Sequence, residues 1–236
     1  MEINVDMGER GYQHPGDLGL LPLVNRVNLA LGGHAGDQQT ARDFEKRSED
    51  LGLKVSLHPS FPDRVHFGRK KMELPESSLR ESLSEQREVL PEVKSLKFHG
   101  ALYNQAWRDD EFAEMLMGWC LEEGIEEVLC PPGSSQERWA KTKGLRVLRE
   151  GFVDRGYMSS PDGEVLLMPR SKEDSMLTHG ESLEQLREGV LSGRVKERCG
   201  QKEVWLDQRC DTWCLHSDQA NSLELARDCQ QWLAQN

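Results

Sequence analysis

Histidine and aspartate side chains recur at the ends of short apolar runs in this sequence. Asp6 ends the run INVD, His58 follows LKVSL, His99 follows SLKF and His216 follows DTWCL, while His34 comes shortly after VNLAL. Imidazole and carboxylate groups bind metal ions and exchange protons near neutral pH. Each histidine alone is more often a hydrogen-bonded structural residue, but four at equivalent positions favour a shared functional site.

The elements that must position these residues alternate regularly. Strand-like runs are predicted at 3–6, 27–31, 53–57, 95–98, 127–130, 145–150 and 211–215, and helices at 37–50, 75–90, 109–123, 134–143, 181–191 and 219–234. Strand alternating with helix indicates a parallel sheet with crossover helices. Seven such units without a Pro/Gly-rich linker predict a closed or nearly closed seven-stranded parallel β/α barrel, a single domain over 1–236. The carboxyl ends of all strands then open on one face.

One segment interrupts the alternation. RGYMSSPDGEVLLMPRS, residues 155–171, has Pro-Asp-Gly between strand-like flanks. This pattern is typical of a hairpin. We therefore expect a β-hairpin excursion on one loop of the barrel.

The stretch VNLALGGHAGD, residues 27–37, allows three interpretations: a phosphate-binding loop, a set of metal or proton-transfer residues, or a tight turn without chemistry. The sequence contains no GxxxxGK[ST] motif, so it has no P-loop. The amide groups of a helix beginning at Asp37 would still accept an anion. The favoured interpretation is a glycine-rich strand end that presents His34 to the rim.

Other polar residues are expected at the same rim. The loop HPSFPDRVHFGRK, residues 58–70, is too long for a simple connector and offers Asp63 and Arg69 to a polar substrate. Tyr103 and Asn104 follow a turn at Gly100 and supply neutral hydrogen-bonding groups. Lys97 lies two residues before His99 and faces the same side, and a lysine in a barrel strand is costly unless it is paired.

Composition excludes several classes of function. The net charge of −11 argues against nucleic acid and anionic membranes as partners. The segment MEINVDMGER has no signal-peptide pattern and no apolar run reaches membrane-spanning length, so we expect a cytoplasmic protein. The six cysteines lack the paired spacing of a zinc site and are interpreted as reduced thiols.

Six segments, in order, resemble the LamB/YcsF family, which includes the A subunit of prokaryotic ATP-dependent 5-oxoprolinase. They are INVDMGE, VNLALGGHAGD, LHPSFPDRVHFGRK, KFHGALYN, EGFVDRGYMSSPDGEVLLMPRS and DTWCLHSD. The resemblance implies a barrel of the glycoside hydrolase/deacetylase type. It also implies hydrolysis of the lactam of 5-oxoproline (pyroglutamate) to L-glutamate, coupled to ATP hydrolysis, together with subunits B and C.

The family pattern carries onto a defined set of residues. These are Asn4, Asp6, Glu9, His34, Gly36, Asp37, His58, Pro59, Asp63, Gly68, Arg69, Lys97, His99, Tyr103, Asn104, Asp154, Arg155, Arg170, His216 and Asp218. Catalytic roles are expected for Asp6, Glu9, His58, His99 and Asp154. Substrate contacts are expected from Gly36, Asp63, Arg69, Lys97, Tyr103, Asn104 and Arg155. A divalent metal would be bound by His34, His58, His99 and His216.

The chain departs from the family pattern at small and packing residues. Val5 replaces a Cys, LGGHAGD replaces CGFHAGD, HPSFPD replaces HPGYPD, and HSD replaces HGD near the end. These changes indicate a divergent member. The sequence is compatible with three functions: a subunit of an ATP-coupled lactam hydrolase, a stand-alone metal-dependent amide hydrolase or deacetylase, and a non-catalytic regulatory partner.

Overall fold

In a computed structural model, the described residues are 1–161, 163–198, 203–205 (backbone alone) and 209–236. The strands are β1 (Glu2–Met7), β2 (Arg26–Ala30), β3 (Lys54–His58), β4 (Ser95–Leu96), β5 (Glu127–Cys130), β6 (Arg146–Phe152), β7 (Tyr157–Ser159), β8 (Val165–Leu167), β9 (Arg194–Lys196), β10 (Glu203–Trp205) and β11 (Thr212–Leu215).

Seven of these strands form a closed barrel in the order β1-β11-β6-β5-β4-β3-β2. Every pairing in it is parallel, including β1 with β11, where Asn4 lies opposite Cys214. The predicted seven-stranded parallel barrel is confirmed. Regular pairing in β4 ends at Leu96, although the Lys97 amide still donates to the carbonyl oxygen of Leu57 at 2.9 Å.

The helices follow the strands around the barrel. They are α1 (Pro15–Leu20), α2 (Gln38–Asp50), α3 (Glu76–Arg87), α4 (Gly100–Arg108), α5 (Asp110–Glu122), α6 (Ser135–Thr142), α7 (His179–Ser192) and α8 (Ser222–Leu233). Asp37 caps α2, because its Oδ1 accepts from the Thr40 amide at 2.8 Å. Neither α1 nor α4 was predicted from the sequence: Gly100, expected in a simple turn, begins a helix that carries Tyr103 and Asn104.

The predicted hairpin is also present. Strands β7 and β8 are antiparallel, with Met158 opposite Leu166. Asp162 of the Pro-Asp-Gly turn lies outside the described residues. A second antiparallel pair, β9 with β10, was not predicted.

A buried arginine closes the barrel at the amino ends of its strands. Arg26 Nε donates to Glu2 Oε1 and its Nη1 lies 2.9 Å from Glu127 Oε1. The same Nη1 donates to the hydroxyls of Ser56 and Ser95, both at 2.8 Å. This network joins five neighbouring strands below the apolar layers of the barrel.

Two further expectations concern the cysteines and membranes. Cys120, Cys130, Cys210, Cys214 and Cys229 are buried free thiols, while Cys199 lies outside the described residues. Within the described ranges, the helices are too short or too polar to cross a membrane.

Candidate active site

A cavity of about 490 Å³ opens at the carboxyl ends of the barrel strands. That volume is typical of a small-molecule site. Its floor is formed by residues at the ends of β1, β3 and β4, and its roof by the hairpin residues Leu166, Leu167 and Met168. The site therefore has a polar base and an apolar cover.

A buried lysine with two carboxylates occupies the floor. Lys97 Nζ lies 2.9 Å from Asp6 Oδ1 and 2.9 Å from Glu150 Oε1, and it donates to Cys214 Sγ at 3.0 Å. Glu150 Oε2 accepts from the Tyr103 hydroxyl at 2.8 Å. The paired carboxylates account for a lysine that is 2% exposed.

These contacts fix the charges on the floor. Burial raises the pKa of the Asp6 carboxyl, but the charges of His58 and Lys97 outweigh it and hold that pKa well below its ordinary value. Burial lowers the pKa of Lys97, but Asp6 and Glu150 hold it well above its ordinary value. Burial beside Glu150 raises the pKa of Tyr103. Lys97 is therefore an ammonium, Asp6 a carboxylate and Tyr103 a neutral hydrogen-bond donor at neutral pH.

The rings of His58 and His99 face each other through their inner nitrogens beside Asp6. His58 Nε2 lies 3.0 Å from His99 Nδ1 and 3.3 Å from Asp6 Oδ2. The outer nitrogens face backbone carbonyls: His58 Nδ1 is 2.8 Å from the oxygen of Lys97, and His99 Nε2 is 3.0 Å from the oxygen of Phe67. Because a carbonyl oxygen only accepts, both outer nitrogens carry hydrogen.

His34 lies behind this pair and supports it. Its ring stacks on that of His99, with centroids 3.6 Å apart and planes 4° from parallel, and its Nε2 is 3.0 Å from Glu9 Oε1. Phe67, whose φ of 56° is unusual for a side-chain-bearing residue, contacts both rings edge-on. Burial lowers the pKa of His34 and holds that of His99 well below its ordinary value, so both rings are neutral.

A second dyad, His216 with Asp154, lies just beyond the ends of β11 and β6. His216 Nδ1 lies 2.8 Å from Asp154 Oδ1, and Asp154 Oδ2 accepts from the His216 amide at 2.9 Å. The carboxylate favours hydrogen on Nδ1, and in that tautomer the ring has its Nε2 lone pair free to accept a proton. Asp154 is therefore placed to orient His216, which lines the cavity.

The mouth of the cavity carries guanidinium groups. Arg69 Nη2 lies 3.5 Å from Asp218 Oδ2, and Arg170 Nη1 lies 2.7 Å from the same oxygen. Arg155 is 8% exposed, and its buried Nε has no hydrogen-bond partner among the described residues. Burial, together with the charge of Arg170, lowers the pKa of Arg155 to about 10. Three guanidinium groups that line one cavity suit an anion such as a carboxylate.

The structure brings most of the sequence-predicted residues to one place. The cavity is lined by Asp6, Glu9, His58, Arg69, Lys97, His99, Tyr103, Asn104, Arg155 and His216. His34 and Asp154 lie just behind it, each in contact with a lining residue. The roles assigned to these residues stay predictions.

Gly36 and Asp63 are not among the lining residues, so the geometry does not support their predicted substrate contacts. Gly36 has a φ of 71°, and a Cβ there would lie 2.9 Å from the Gly8 carbonyl oxygen, which accounts for the glycine by packing. Asp63 Oδ1 accepts from the His66 amide at 3.0 Å, and Arg64 Nη1 donates to the Gly36 oxygen at 2.9 Å. These contacts shape the loop of residues 58–70.

Two residues of the floor, Glu150 and Cys214, were not predicted from the sequence. A signal for each was present: Lys97 required a buried partner, and Glu150 ends a predicted strand. Cys214 lies on β11, and His216 follows one residue after the strand ends; their side chains approach Asp6 together, with one ligand atom of each within 4.8 Å of the others. Burial raises the pKa of the Cys214 thiol well above its ordinary value, so it is protonated.

Fold and site together define a seven-stranded parallel β/α barrel with an ionic cavity at the carboxyl ends of its strands. The LamB/YcsF family model matches residues 1–236, and the chain belongs to that family. A crystal structure described as a lactam utilization protein from Thermus thermophilus is similar, with a TM-score of 0.83 and 31% sequence identity. The match covers 100% of this chain and 96% of that one.

Proposed function

We propose that this chain is the A subunit of an ATP-dependent 5-oxoprolinase, which opens the lactam of 5-oxoproline to give L-glutamate. The observation that carries the proposal is the pairing of two chemistries in one cavity. His216 presents a proton acceptor near the floor, and Arg155, Arg69 and Arg170 line the mouth. 5-Oxoproline has the two matching groups, a ring amide and a carboxylate. Family membership and the lactam utilization protein support the same substrate class.

The cavity residues have separate roles in the proposed reaction. Arg155 binds the substrate carboxylate through its guanidinium group, and Arg69 contributes a second guanidinium. His216 Nε2 takes a proton from water while the water oxygen bonds to the lactam carbonyl carbon. The C–N bond then breaks, and His216 returns the proton to the departing nitrogen. Asp154 holds the imidazole in the required orientation throughout.

ATP coupling follows from the difficulty of the reaction. A five-membered lactam is an unactivated amide whose closure is favourable, and transfer of the γ-phosphoryl group of ATP to the amide oxygen makes its carbon a better electrophile. Once water has added and the C–N bond has broken, that carbon is an acyl phosphate, and a second water hydrolyses it to the glutamate carboxylate and phosphate. We propose that nucleotide is bound together with subunits B and C, since the sequence has no P-loop. The complex is expected in the cytoplasm.

The departures from the family pattern support a divergent member. A Cβ on Gly33 would lie 2.4 Å from Gln86 Oε1 and 2.6 Å from Ser60 Oγ. Gln86 in turn bonds both the amide and the carbonyl of Ser60. Ser60 and Gln86 thus fill space beside position 33, where the family pattern has Phe, so the changes at 33 and 60 compensate each other.

A stand-alone metal-dependent amide hydrolase or deacetylase is the second candidate function, favoured by the cluster of Glu9, His34, His58 and His99. The two functions differ in their need for ATP. A non-catalytic regulatory role is opposed by the intact His216–Asp154 dyad.

The test is 5-oxoproline hydrolysis by the chain alone and with subunits B and C, each with and without ATP. We expect glutamate only from the complete complex with ATP. Glutamate from the chain alone without ATP would favour the second function, and no turnover by an intact complex would contradict the first.

A matched pair of variants locates the activity. His216→Gln should abolish most turnover, whereas His179→Gln should not. His179 is also paired with a carboxylate, Asp228, at 2.9 Å, but it does not line the cavity.

A further inference from the structure

We propose that Glu9, His58 and His99 bind one divalent transition-metal ion, and that His34 positions Glu9 and His99 without binding the metal. The site lies on the floor of the cavity, beside the His216–Asp154 dyad.

Hydrogen counting in the His58–His99 pair favours a cation beside it. The outer nitrogen of each ring donates to a backbone carbonyl, of Lys97 or of Phe67. With those hydrogens on the outer nitrogens, the inner nitrogens, 3.0 Å apart, face each other across the same space. Two facing lone pairs repel unless a positive charge lies between or beside them.

The backbone carbonyls also match the usual surroundings of a metal-binding histidine. Such a residue normally donates its second ring N–H to a carbonyl or carboxylate, which fixes the tautomer and the ring orientation. His58 would bind through Nε2 and His99 through Nδ1, and each has its carbonyl partner in place.

The spacing of the donor atoms fits a single ion. Ligand atoms about 2.0–2.2 Å from a metal lie roughly 3–3.5 Å from one another. His58 Nε2 and His99 Nδ1 are 3.0 Å apart, and His99 Nδ1 is 3.6 Å from Glu9 Oε1. All three residues line the cavity, so the ion would keep positions for water or substrate.

His34 shares the cluster but is excluded as a ligand by its geometry. Its ring is stacked parallel on that of His99, so the in-plane lone pairs of the two rings run side by side and do not converge. His34 Nε2 instead contacts Glu9 Oε1 at 3.0 Å. The residue is therefore a positioning residue for Glu9 and for the His99 ring.

Charge favours a cation at this place. Asp6, Glu9 and Glu150 bring three carboxylates to the floor, and Lys97 contacts two of them, Asp6 and Glu150. Glu9 Oε1 lies 3.0 Å from His34 Nε2 and 3.6 Å from His99 Nδ1, and it is not one of the carboxylates that Lys97 contacts. A metal beside Glu9 would offset its charge.

The donor set selects the class of ion. Two imidazoles with one carboxylate suit Zn²⁺, Co²⁺, Ni²⁺ or Fe²⁺, whereas Mg²⁺ and Ca²⁺ prefer all-oxygen sites. Zn²⁺ and Co²⁺ are the probes of choice, because zinc is measured by mass spectrometry and cobalt gives a visible spectrum.

The experiment measures metal content of the purified chain after loading with Zn²⁺ and removal of free ion. We expect one equivalent in the wild type and a loss of most of it in His58→Ala, His99→Ala and Glu9→Gln. His179→Ala, which removes a histidine outside the cavity, should keep one equivalent. Circular dichroism confirms that each variant is folded.

His34 has its own test. His34→Ala should still bind one equivalent at saturation, but with roughly 10–100-fold weaker affinity, as expected for loss of an outer hydrogen bond. His34→Gln, whose amide can donate to Glu9, should restore part of that affinity. If neither His34→Ala nor His34→Gln binds any metal, His34 is a ligand and its assignment as a positioning residue is overturned.

X-ray absorption of the zinc-loaded wild type gives an answer that needs no variant. Two imidazole ligands at about 2.0–2.1 Å with one or more oxygens support the site. The proposal is overturned if the wild type takes up no Zn²⁺ or Co²⁺, or if a folded His99→Ala variant retains the full metal content. A proton shared between the two inner nitrogens would then join the histidine pair. None of these readouts uses lactam turnover, so the metal site and the proposed function can fail independently.

Discussion

The two ends of the barrel each bury a cation between two carboxylates, and they use it differently. At the amino ends of the strands, Arg26 contacts Glu2 and Glu127. At the carboxyl ends, Lys97 contacts Asp6 and Glu150. Both cations are 2% exposed, so burial alone does not distinguish a structural ion pair from one in a reactive site.

The difference lies in what surrounds each pair. Arg26 also bonds the hydroxyls of Ser56 and Ser95, so its directional donors hold neighbouring strands together. Lys97 lines the cavity, and its partner Asp6 also faces His58. The lower pair serves the closure of the barrel, and the upper pair sets the charges of a site.

The largest effect is expected for Lys97→Met, which should damage both stability and activity. It leaves Asp6 and Glu150 buried without their cation, at a cost of about 3–5 kcal/mol in the free energy of unfolding. It also removes the charge that keeps Asp6 ionised beside His58. Urea unfolding and 5-oxoproline turnover of the complex measure the two losses, and a variant with wild-type turnover would remove Lys97 from the site.

Asp154→Asn should lower the activity and leave the stability unchanged. The amide cannot hold the His216 ring in the same tautomer, so kcat should fall by about 10²–10⁴-fold, the range for general acid–base catalysis. The measurement is kcat at saturating 5-oxoproline and ATP, with thermal unfolding as the check on stability. An unchanged kcat would leave the dyad without a catalytic role.

Arg26→Met should lower the stability and leave the activity of the folded chain unchanged. Glu127 loses one of its buried partners, which costs about 3–5 kcal/mol in urea unfolding, while kcat of the folded chain stays near wild type. Arg26→Met combined with Glu127→Leu should recover part of the loss, because no uncompensated carboxylate remains. A large fall in kcat for Arg26→Met would show that the two ends of the barrel are coupled.

The smallest effect is expected for Asp37→Ala. Asp37 caps α2 through the Thr40 amide, and loss of a cap costs about 1 kcal/mol. Thermal unfolding measures that loss, and turnover should not change. A strong loss of turnover without loss of stability would restore the interpretation of residues 27–37 as an anion-binding loop.

The sequence predicts the upper end of the barrel better than the lower one. Asp6, His58, His99 and His216 follow apolar runs, and the rule that parallel strands end on one face is enough to bring them together. Arg26, Glu2 and Glu127 give no such signal, because charged residues at strand starts are usually solvated and their burial depends on how the barrel closes.

The positions that escaped prediction depend on long-range contacts. Glu150 ends a predicted strand, but its pairing with a lysine 53 residues earlier in the sequence depends on how the barrel closes. Gly36 and Asp63 match the family motifs, but their contacts with Gly8, Arg64 and His66 give them packing and loop-shaping roles. The metal role of His34 stays a prediction from its position, and its stacking on His99 is visible only in three dimensions.

The pairing of β1 with β11 has a consequence for biosynthesis. Asn4 donates a hydrogen bond to Thr212, 208 residues later, and Asp6 shares its site with His216. During translation, β1 leaves the ribosome long before β11 is made. Until then, the edge of β1 that pairs with β11 stays unpaired. The barrel therefore cannot close until β11 has been made, and a nascent chain that ends just before Thr212 has Asp6, His58 and Lys97 but no closed barrel to hold them.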